Sequence, residues 1–295
     1  MKISLPTREQ LITSLIKITG YSAIVFVVLI FFFLARESLP SLNPKVFSKL
    51  FEVRWYPIES HFGLLPLIAG SMIVTLGAAL VAVPLGIGTA VFIREVAPNW
   101  AREILKPLVE VLAGLPSVVL GFIGILVLSP LVRVILHLPT GLTAFTGSIL
   151  LGIISLPTIV SVAEDALDAV PRSYRDASLA MGATEFQTIF LVTLPAAKTG
   201  VLTAVMLGLG RAIGETMTVM MVTGNAPVIP HTLFTPVRTI TATIAAEMGE
   251  VARGSDHYHV LFLLGLVLFT ISMAVNLTAS SVIARQKKKT ERILS

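Results

Sequence analysis

Long uninterrupted apolar runs constrain the fold of this chain more than any other feature. A helix needs about 20 apolar residues to cross the hydrocarbon core of a bilayer. Only 13% of the residues are charged, against about a quarter in ordinary globular domains, which excludes a soluble enzyme and a disordered chain. An integral, all-α membrane protein is therefore predicted. The windows without Asp, Glu, Lys or Arg are residues 18–35, 64–93, 111–132, 134–163 and 260–284.

Six transmembrane helices follow from these windows. Residues 199–222 form a sixth apolar run, which carries Arg211 and Glu215. The sequence H-L-P-T-G at 137–141 has to interrupt the fourth window, and it leaves a helix over 142–163. In the third window, Gly114 and Pro116 mark a place where the helix either breaks or has an ordinary kink.

The distribution of Lys and Arg predicts the orientation. With the N-terminus inside, fourteen of these residues fall on one face and six on the other, which places both termini in the cytoplasm of a multi-pass plasma-membrane protein. The first apolar run has no small-x-small cleavage site and is expected to remain. The net charge of +5 is concentrated in the basic tail, residues 285–295, whose expected partners are acidic lipids rather than nucleic acid.

The loop between the fourth and fifth spans has the pattern of two capped helices. Ser173 and Asp176 form an S-x-x-D capping box, and Gly182 supplies a left-handed residue that ends the first helix. Thr184 begins the second helix with a T-x-x-Q box, where Phe186 is an apolar anchor, and Pro195 closes the loop. One interpretation is an interfacial amphipathic loop without a partner; the other is a docking element.

The residues of this loop resemble a known motif. Asp176, Ala177, Gly182, Leu194 and Pro195 match the E-A-A-x3-G-x9-I-x-L-P loop of ATP-binding-cassette (ABC) importer permeases, with Asp for Glu, Ser for the second Ala and Val for Ile. The resemblance implies a cytoplasmic coupling helix that docks into a groove on an ATP-binding subunit.

No phosphate-binding loop accompanies this motif. A Gly-Lys pair is absent from the sequence, so G-x-x-x-x-G-K-[ST] is absent too. The chain has no cysteine, and the H-x-H of His257 and His259 lacks further metal ligands. We therefore predict a non-catalytic subunit without cofactor or metal, driven by ATP hydrolysis on another chain.

The apolar run at residues 199–222, which is the fifth span in chain order, carries a charged pair within the membrane. Gly210 and Gly214 form G-x-x-x-G, which lets a neighbouring helix approach, and Arg211 and Glu215 have the same spacing. Buried charges of this kind either lock helix packing as an ion pair or line a pathway. In the second case Arg211 would bind an oxyanion with two parallel hydrogen bonds. Glu215 would hold the Arg211 side chain in place and keep it from binding the oxyanion too tightly for release.

Motifs along most of the chain identify it as a member of a family. W-Y-P at 55–57, F-G-L-L-P-L at 62–67, L-A-G-L-P-S-V-V at 112–119 and G-L-G-R-A-I-G-E-T-M at 208–217 resemble the PstC-type permease subunit of the phosphate ABC importer. The resemblance implies a type-1 ABC importer (MetI-like) permease fold and a substrate pathway through Arg211 and Glu215. The implied units are an N-terminal helix and external loop (1–62), the permease domain (63–284) and the tail.

The resemblance also implies partners: a PstA-type permease, a PstB-type ATPase dimer and an external PstS-type phosphate-binding protein. Two alternatives stay open, a PstA-like sister permease and an ion-coupled secondary anion transporter with Glu215 as proton relay. The binding protein would dock on residues 37–62 and 225–259. There, Trp55 and Tyr56 are expected in the interfacial aromatic belt, and 240–252 as a short surface helix that offers Glu247 and Glu250 as contacts.

Overall fold

The computed structural model describes residues 7–294, with side chains except at residues 7–8, 10–11, 45, 279 and 282–294. The side chains of the predicted basic tail therefore lie outside the described residues. Strands β1 (Trp55–Tyr56) and β2 (His61–Phe62) pair antiparallel in one short hairpin. The helices are α1 (Thr7–Ser38), α2 (Pro44–Phe47), α3 (Leu65–Val91), α4 (Asn99–Gly114), α5 (Ser117–Ile123), α6 (Ser129–Ile135), α7 (Ala144–Asp168), α8 (Arg172–Ala180), α9 (Glu185–Thr188), α10 (Leu194–Ala196), α11 (Lys198–Gly214), α12 (Met217–Val222), α13 (Ile240–Glu247) and α14 (Asp256–Leu294).

Short π and 3-10 turns extend several of these helices. The π turns are Phe92–Val96 after α3, Gly124–Leu128 between α5 and α6, and Ile189–Thr193 between α9 and α10. The 3-10 turns, Leu39–Leu42, Ser48–Phe51 and Pro57–Glu59, all lie between α1 and β2.

The described part of the chain has five segments long and apolar enough to cross a membrane, or six with one bent pair. The bent pair is Glu185–Ala196 followed by Lys198–Gly214, with an angle of 71° between them. The fold class predicted from the sequence is confirmed, since the chain is mostly helical and these spans follow the predicted order. The five segments are Ile12–Leu42, Leu65–Val96, Ser117–Ile135, Ala144–Asp168 and Asp256–Thr278.

Two of the predicted spans are broken. α4 ends at Gly114, Leu115 and Pro116 have extended backbones, and α5 begins at Ser117, so of the two alternatives left open by the sequence the structure has the break and not the kink. The predicted fifth span, residues 199–222, was expected to be continuous, and this is wrong: α11 ends at Gly214 and Glu215 is extended, with ψ of 131°.

The core forms where α3, α7 and α11 pack against one another. A Cβ atom on Gly86 of α3 would lie 2.7 Å from the side chain of Ile159 on α7, and one on Gly208 of α11 would overlap the same side chain. Ile159 is fully buried between these glycines. Glycine thus lets both helices approach α7 closely, which makes the three helices one packed unit.

The bundle has two ends that differ in construction. We call the end with β1, β2 and α13 the hairpin face, and the opposite end, with α8 and α9, the α8 face. α3 begins beside the hairpin and ends in a π turn near α8, since Glu95 of that turn contacts Arg175 of α8. α14 begins at the hairpin face, where His259 contacts the backbone oxygen of Glu37 at 2.8 Å.

Candidate functional site

Arg211 lies in the last turn of α11, in the middle of an apolar segment. Its side chain is half-buried, and Nη1 donates a hydrogen bond to Oγ1 of Thr158 on α7 at 3.3 Å. A cation near the C-terminus of a helix is favoured by the helix dipole. Thr158 is absent from the residues that the sequence predicts, because one hydroxyl in an apolar span carries no distinctive signal.

Glu215 does not contact Arg211, which contradicts both the ion pair that the sequence left open as one alternative and the expectation that Glu215 holds Arg211 in place. That expectation required a continuous helix, whereas α11 ends one residue before Glu215. Oε1 of Glu215 instead accepts the backbone N–H of Thr218 at 3.3 Å, at the start of α12. Among the described residues, no ion pair includes either side chain. The guanidinium of Arg211 is therefore not neutralised within the described chain.

Hydroxyl side chains satisfy the backbone groups that the break releases. Oγ1 of Thr241 donates to the carbonyl oxygen of Glu215 at 2.9 Å, and Oγ1 of Thr216 donates to that of Gly214 at 3.2 Å. Irregular backbone within a membrane needs such partners because no lipid group can supply them. A small cavity of about 10 Å³ adjoins the break, and its polar lining consists of Ser71, Thr75, Glu215, Thr239 and Thr241.

The break in the fifth span lies beside the break in the third. Oγ1 of Thr218 donates to the carbonyl oxygen of Ser117, the first residue of α5, at 2.9 Å. A Cβ atom on Gly121 of α5 would lie 2.8 Å from Sδ of Met221 on α12. The two interrupted helices are thus in direct contact, as in transporters whose discontinuous helices form binding sites.

Gly210 and Gly214 are not packing positions within this chain. A Cβ atom on either would meet no described atom within 4 Å, whereas Gly208 and Gly200 press against α7 at Ile159 and Ala166. The predicted G-x-x-x-G contact is therefore wrong for the isolated chain. The close contacts of α11 with α7 are made by Gly200 and Gly208 instead.

The two helices predicted for the loop between the fourth and fifth spans are present, but the first lacks the cap that the sequence predicts. α8 begins after Pro171 and has no side-chain cap, so Ser173 lies inside the helix and the S-x-x-D box is wrong. Gly182 has φ of +86°, as predicted for the residue that ends the helix. Thr184 and Gln187 form both halves of the second capping box, at 3.2 and 2.9 Å.

The loop presents apolar side chains outward. None of the residues of α8 is buried, and Asp176 and Ala177 are exposed. Phe186 is 69% exposed and its ring lies 4.5 Å from that of Phe190. Leu194 is half-buried against the core and Pro195 is exposed within α10. Large exposed apolar side chains occur where a protein contacts a partner or a membrane surface. In this loop they are Tyr174, Leu179, Met181, Phe186, Phe190 and Leu191.

The hairpin face is closed by a buried polar cluster around Glu247. Its carboxylate accepts hydrogen bonds from Nε1 of Trp55 at 3.1 Å and from Nη1 of Arg238 at 2.6 Å, and contacts Nε2 of His257 at 2.8 Å. Burial raises the pKa of Glu247, but the hydrogen bonds from His257 and Trp55 and the charge of Arg238 outweigh it and lower the pKa. This carboxylate joins β1, which is distant in sequence, to the segment before α13, to α13 itself and to the start of α14.

This cluster overturns two expectations. Trp55 is only 3% exposed, so it belongs to the protein interior rather than to an aromatic belt at the lipid boundary. The expected surface helix is shorter, Ile240–Glu247, and its first four residues are buried. Glu247 is therefore a structural residue and not an open docking contact; Glu250 is exposed.

Comparisons with known proteins agree with these features. The family model described as "Binding-protein-dependent transport system inner membrane component" matches residues 82–289. A Bacillus subtilis protein named "Probable ABC transporter permease protein YqgH" is 41% identical over 240 residues, which are 81% of this chain and 78% of that protein. The "Phosphate transport system permease protein PstC" of Mesorhizobium japonicum is 35% identical over 272 residues, 86% and 83% of the two chains.

Solved structures with low sequence identity share the fold. A bacterial alginate ABC transporter matches with a TM-score of 0.68 at 16% identity, over 95% of this chain and 96% of that chain. The MetNI methionine ABC transporter in an inward-facing conformation matches with a TM-score of 0.56 at 19% identity, over 76% and 94% of the two chains.

Proposed function

The chain belongs to the family of binding-protein-dependent transport system inner membrane components, and on that premise we propose that it carries inorganic phosphate through an ABC importer. As a member of this family it is a permease subunit, a membrane component rather than an enzyme. The substrate is supported by relatives named PstC that are 32–35% identical over most of both chains. The relative with 41% identity is named only as an ABC permease.

One observation carries the substrate assignment: the guanidinium of Arg211 lies inside an apolar span without an acidic partner among the described residues. Arginine is permanently charged and offers planar, paired N–H groups that match two oxygens of a phosphate. An unneutralised cation at this depth lowers the barrier for an anion and raises it for a cation. We propose that Arg211 binds phosphate transiently during passage.

Glu215 lines the same path with a different task. Because it accepts the N–H of Thr218 at the break, it fixes the end of α11 relative to α12. Its negative charge also opposes lasting occupancy of the site by an anion, and a transport site has to release its substrate. The alternative of a proton relay between Arg211 and Glu215 is not favoured, because the two side chains are not in contact.

We propose that the α8 face is cytoplasmic, as the distribution of Lys and Arg predicts, with both termini on that side. The exposed apolar side chains on α8 and α9 then form the docking surface for an ATPase dimer that hydrolyses ATP. An external phosphate-binding protein docks on the hairpin face. The open side of α11 at Gly210 and Gly214 fits a helix of a second, PstA-type permease.

In this proposal the chain has three units. Residues 1–62 form an added helix and external loop, residues 63–284 form the permease domain, and residues 285–295 form a basic tail that contacts acidic lipids. The family match begins inside the second unit, at residue 82.

The test is phosphate uptake by the complete complex of two permeases, two ATPases and binding protein in vesicles. Arg211→Gln is expected to abolish uptake while the complex still co-purifies. Arg133→Gln, which removes an exposed arginine at the end of α6, is the matched control and is expected to transport normally. Uptake at the wild-type rate by Arg211→Gln would reject the pathway role, and uptake of sulfate but not phosphate by the wild type would reject the substrate.

A further inference from the structure

Among the described residues, a single side chain of α8 forms hydrogen bonds with the ends of α3 and α7. All of its residues are described and none is buried. Nη2 of Arg175 donates to Oε1 of Glu95 at 2.6 Å and to the carbonyl oxygen of Leu167 at 3.2 Å. The other polar contact of α8, between the hydroxyls of Ser178 and Thr188 at 3.0 Å, leads only to α9. Arg175 thus joins α8 to the ends of both α3 and α7.

The partner of Arg175 is held in a fixed position. Glu95 belongs to the π turn Phe92–Val96 that follows α3, and its side chain is 6% exposed. The guanidinium of Arg102 fixes that turn, with Nε on the carbonyl oxygen of Ile93 at 2.9 Å and Nη2 on that of Arg94 at 2.8 Å. An ion pair anchored in this way transmits displacement better than one between two free side chains.

The neighbouring ion pairs of the α8 face are more open and do not involve α8. Asp168, which pairs with Arg94, is 57% exposed, and Lys106, which pairs with Glu164, is 45% exposed. Solvent screens such pairs strongly, whereas a shielded pair such as Glu95–Arg175 is costly to break on one side. Of these ion pairs, only the shielded Glu95–Arg175 pair includes a residue of α8.

A packed route continues from this pair to the candidate pathway. α3 is pressed against α7 through Gly86 and Ile159, and α7 carries Thr158, the hydrogen-bond partner of Arg211. A displacement of α3 would therefore move α7, and with it Thr158, the hydrogen-bond partner of the Arg211 guanidinium. The route runs from α8 through Arg175 and Glu95 to α3, from α3 to α7 where Gly86 meets Ile159, and from Thr158 of α7 to Arg211.

We propose that Arg175 is a positioning residue of the transport cycle, which couples movement of α8 to α3 and α7 through its ion pair with Glu95. The inference rests on the proposed function, since it assumes an ATPase that moves α8. The Nε–H of Arg175 is buried without a partner, so the arrangement described here leaves one of its donors unsatisfied.

The experiment measures phosphate taken up per ATP hydrolysed by the complete complex in vesicles. Arg175→Gln is expected to lower this ratio by about tenfold, within the range of coupling between distant sites, while ATP hydrolysis and co-purification persist. Arg172→Gln is the matched control, because it removes an exposed arginine from the same helix without touching Glu95. Arg175→Lys is expected to recover part of the ratio.

A reversible cross-link gives an independent readout. Because the chain contains no cysteine, Glu95→Cys with Arg175→Cys introduces the only two thiols of this subunit. The reduced double variant is expected to be uncoupled, a short bifunctional methanethiosulfonate reagent is expected to restore coupling, and dithiothreitol is expected to remove it again. Cross-linking that leaves the ratio unchanged would count against Arg175 as the connection.

Other outcomes separate the two proposals. An unchanged ratio in Arg175→Gln, or an equal loss in Arg172→Gln, would overturn the role of the Glu95 contact while phosphate transport by the wild type still stands. A wild-type complex that moves no phosphate would instead overturn the proposed function. Loss of co-purification in Arg175→Gln, together with loss of co-purification in the cross-linked double cysteine variant, would assign Arg175 to assembly and overturn its positioning role.

Discussion

The two ends of the molecule are built in opposite ways. At the hairpin face, a carboxylate that is 17% exposed draws together β1, the segment before α13, α13 itself and α14 through Trp55, Arg238 and His257. At the α8 face, a helix without buried residues is held by Arg175 and turns at the exposed Gly182. The first arrangement resists movement, whereas the second allows a helix to move as a body.

This contrast shows where stability and mechanism are separable. Substitutions at the hairpin face are expected to change the free energy of unfolding, because many segments depend on one buried group. Substitutions of exposed residues on α8 and α9 are expected to change coupling more than the free energy of unfolding, because few buried contacts depend on these residues. Each prediction below tests one side of this separation.

The largest expected effect is on stability, from Glu247→Gln. The change leaves the guanidinium of Arg238 shielded without a counter-charge, and loss of one partner of a buried pair costs about 3 kcal/mol at the lower end of the usual range. Thermal unfolding of the purified chain in detergent measures it. Glu250→Gln, an exposed carboxylate three residues away, is the control. Equal melting of both variants would show that the cluster does not stabilise the hairpin face.

The next effect compares two glycines with the same backbone strain. Gly182 at the α8 face and Gly254 at the hairpin face have φ of +86° and +80°, and a Cβ atom on either would meet nothing within 4 Å. A valine at either position is expected to cost about 1–2 kcal/mol. Only Gly182→Val is expected to lower phosphate uptake per ATP hydrolysed. Similar uncoupling by both variants would mean that the faces do not differ in mechanism.

Most of the fold could be predicted because apolar length is a direct physical requirement of the bilayer. The two broken spans show the limit of that signal. The third span breaks at Leu115 and Pro116, because proline has no backbone N–H to donate. The proline that causes this break is visible in the sequence. The break after Gly214 depends on Thr241 and Thr218, whose hydroxyl and N–H groups come from other helices, so composition gives no sign of it.

The same limit applies to the site. Arg211 could be identified because a charge in an apolar run is rare, but its relation to Glu215 was wrongly expected from spacing that holds only in a continuous helix. Gly182 and the Thr184 box were predictable because their effects are local. The Glu95–Arg175 pair joins residues 80 apart in sequence, and only the packing of α3 and α8 brings them together.

A smaller effect is expected from Thr184→Ala, which removes half of the capping box at the start of α9. Loss of such a cap costs about 1 kcal/mol of local stability. Because Thr184 is exposed, we expect faster backbone hydrogen exchange within α9 and no change in the global unfolding midpoint. Thr239→Ala, at the buried cap of α13, is the counterpart and is expected to lower that midpoint. A shifted midpoint in Thr184→Ala would contradict the independence of the α8 face.

The smallest expected effect is the pH dependence of the hairpin face. The pKa of Glu247 lies below its ordinary value of 4.5, because the hydrogen bonds from His257 and Trp55 and the charge of Arg238 outweigh burial. Its ionised form therefore contributes stability that is complete above about pH 4.5 and is lost as the pH falls through the folded pKa. The difference in unfolding midpoint between wild type and Glu247→Gln should stay constant from about pH 6 to about pH 5 and shrink on acidification from about pH 5 to about pH 3; a difference that stays constant throughout would mean that the carboxylate acts by packing and not by charge.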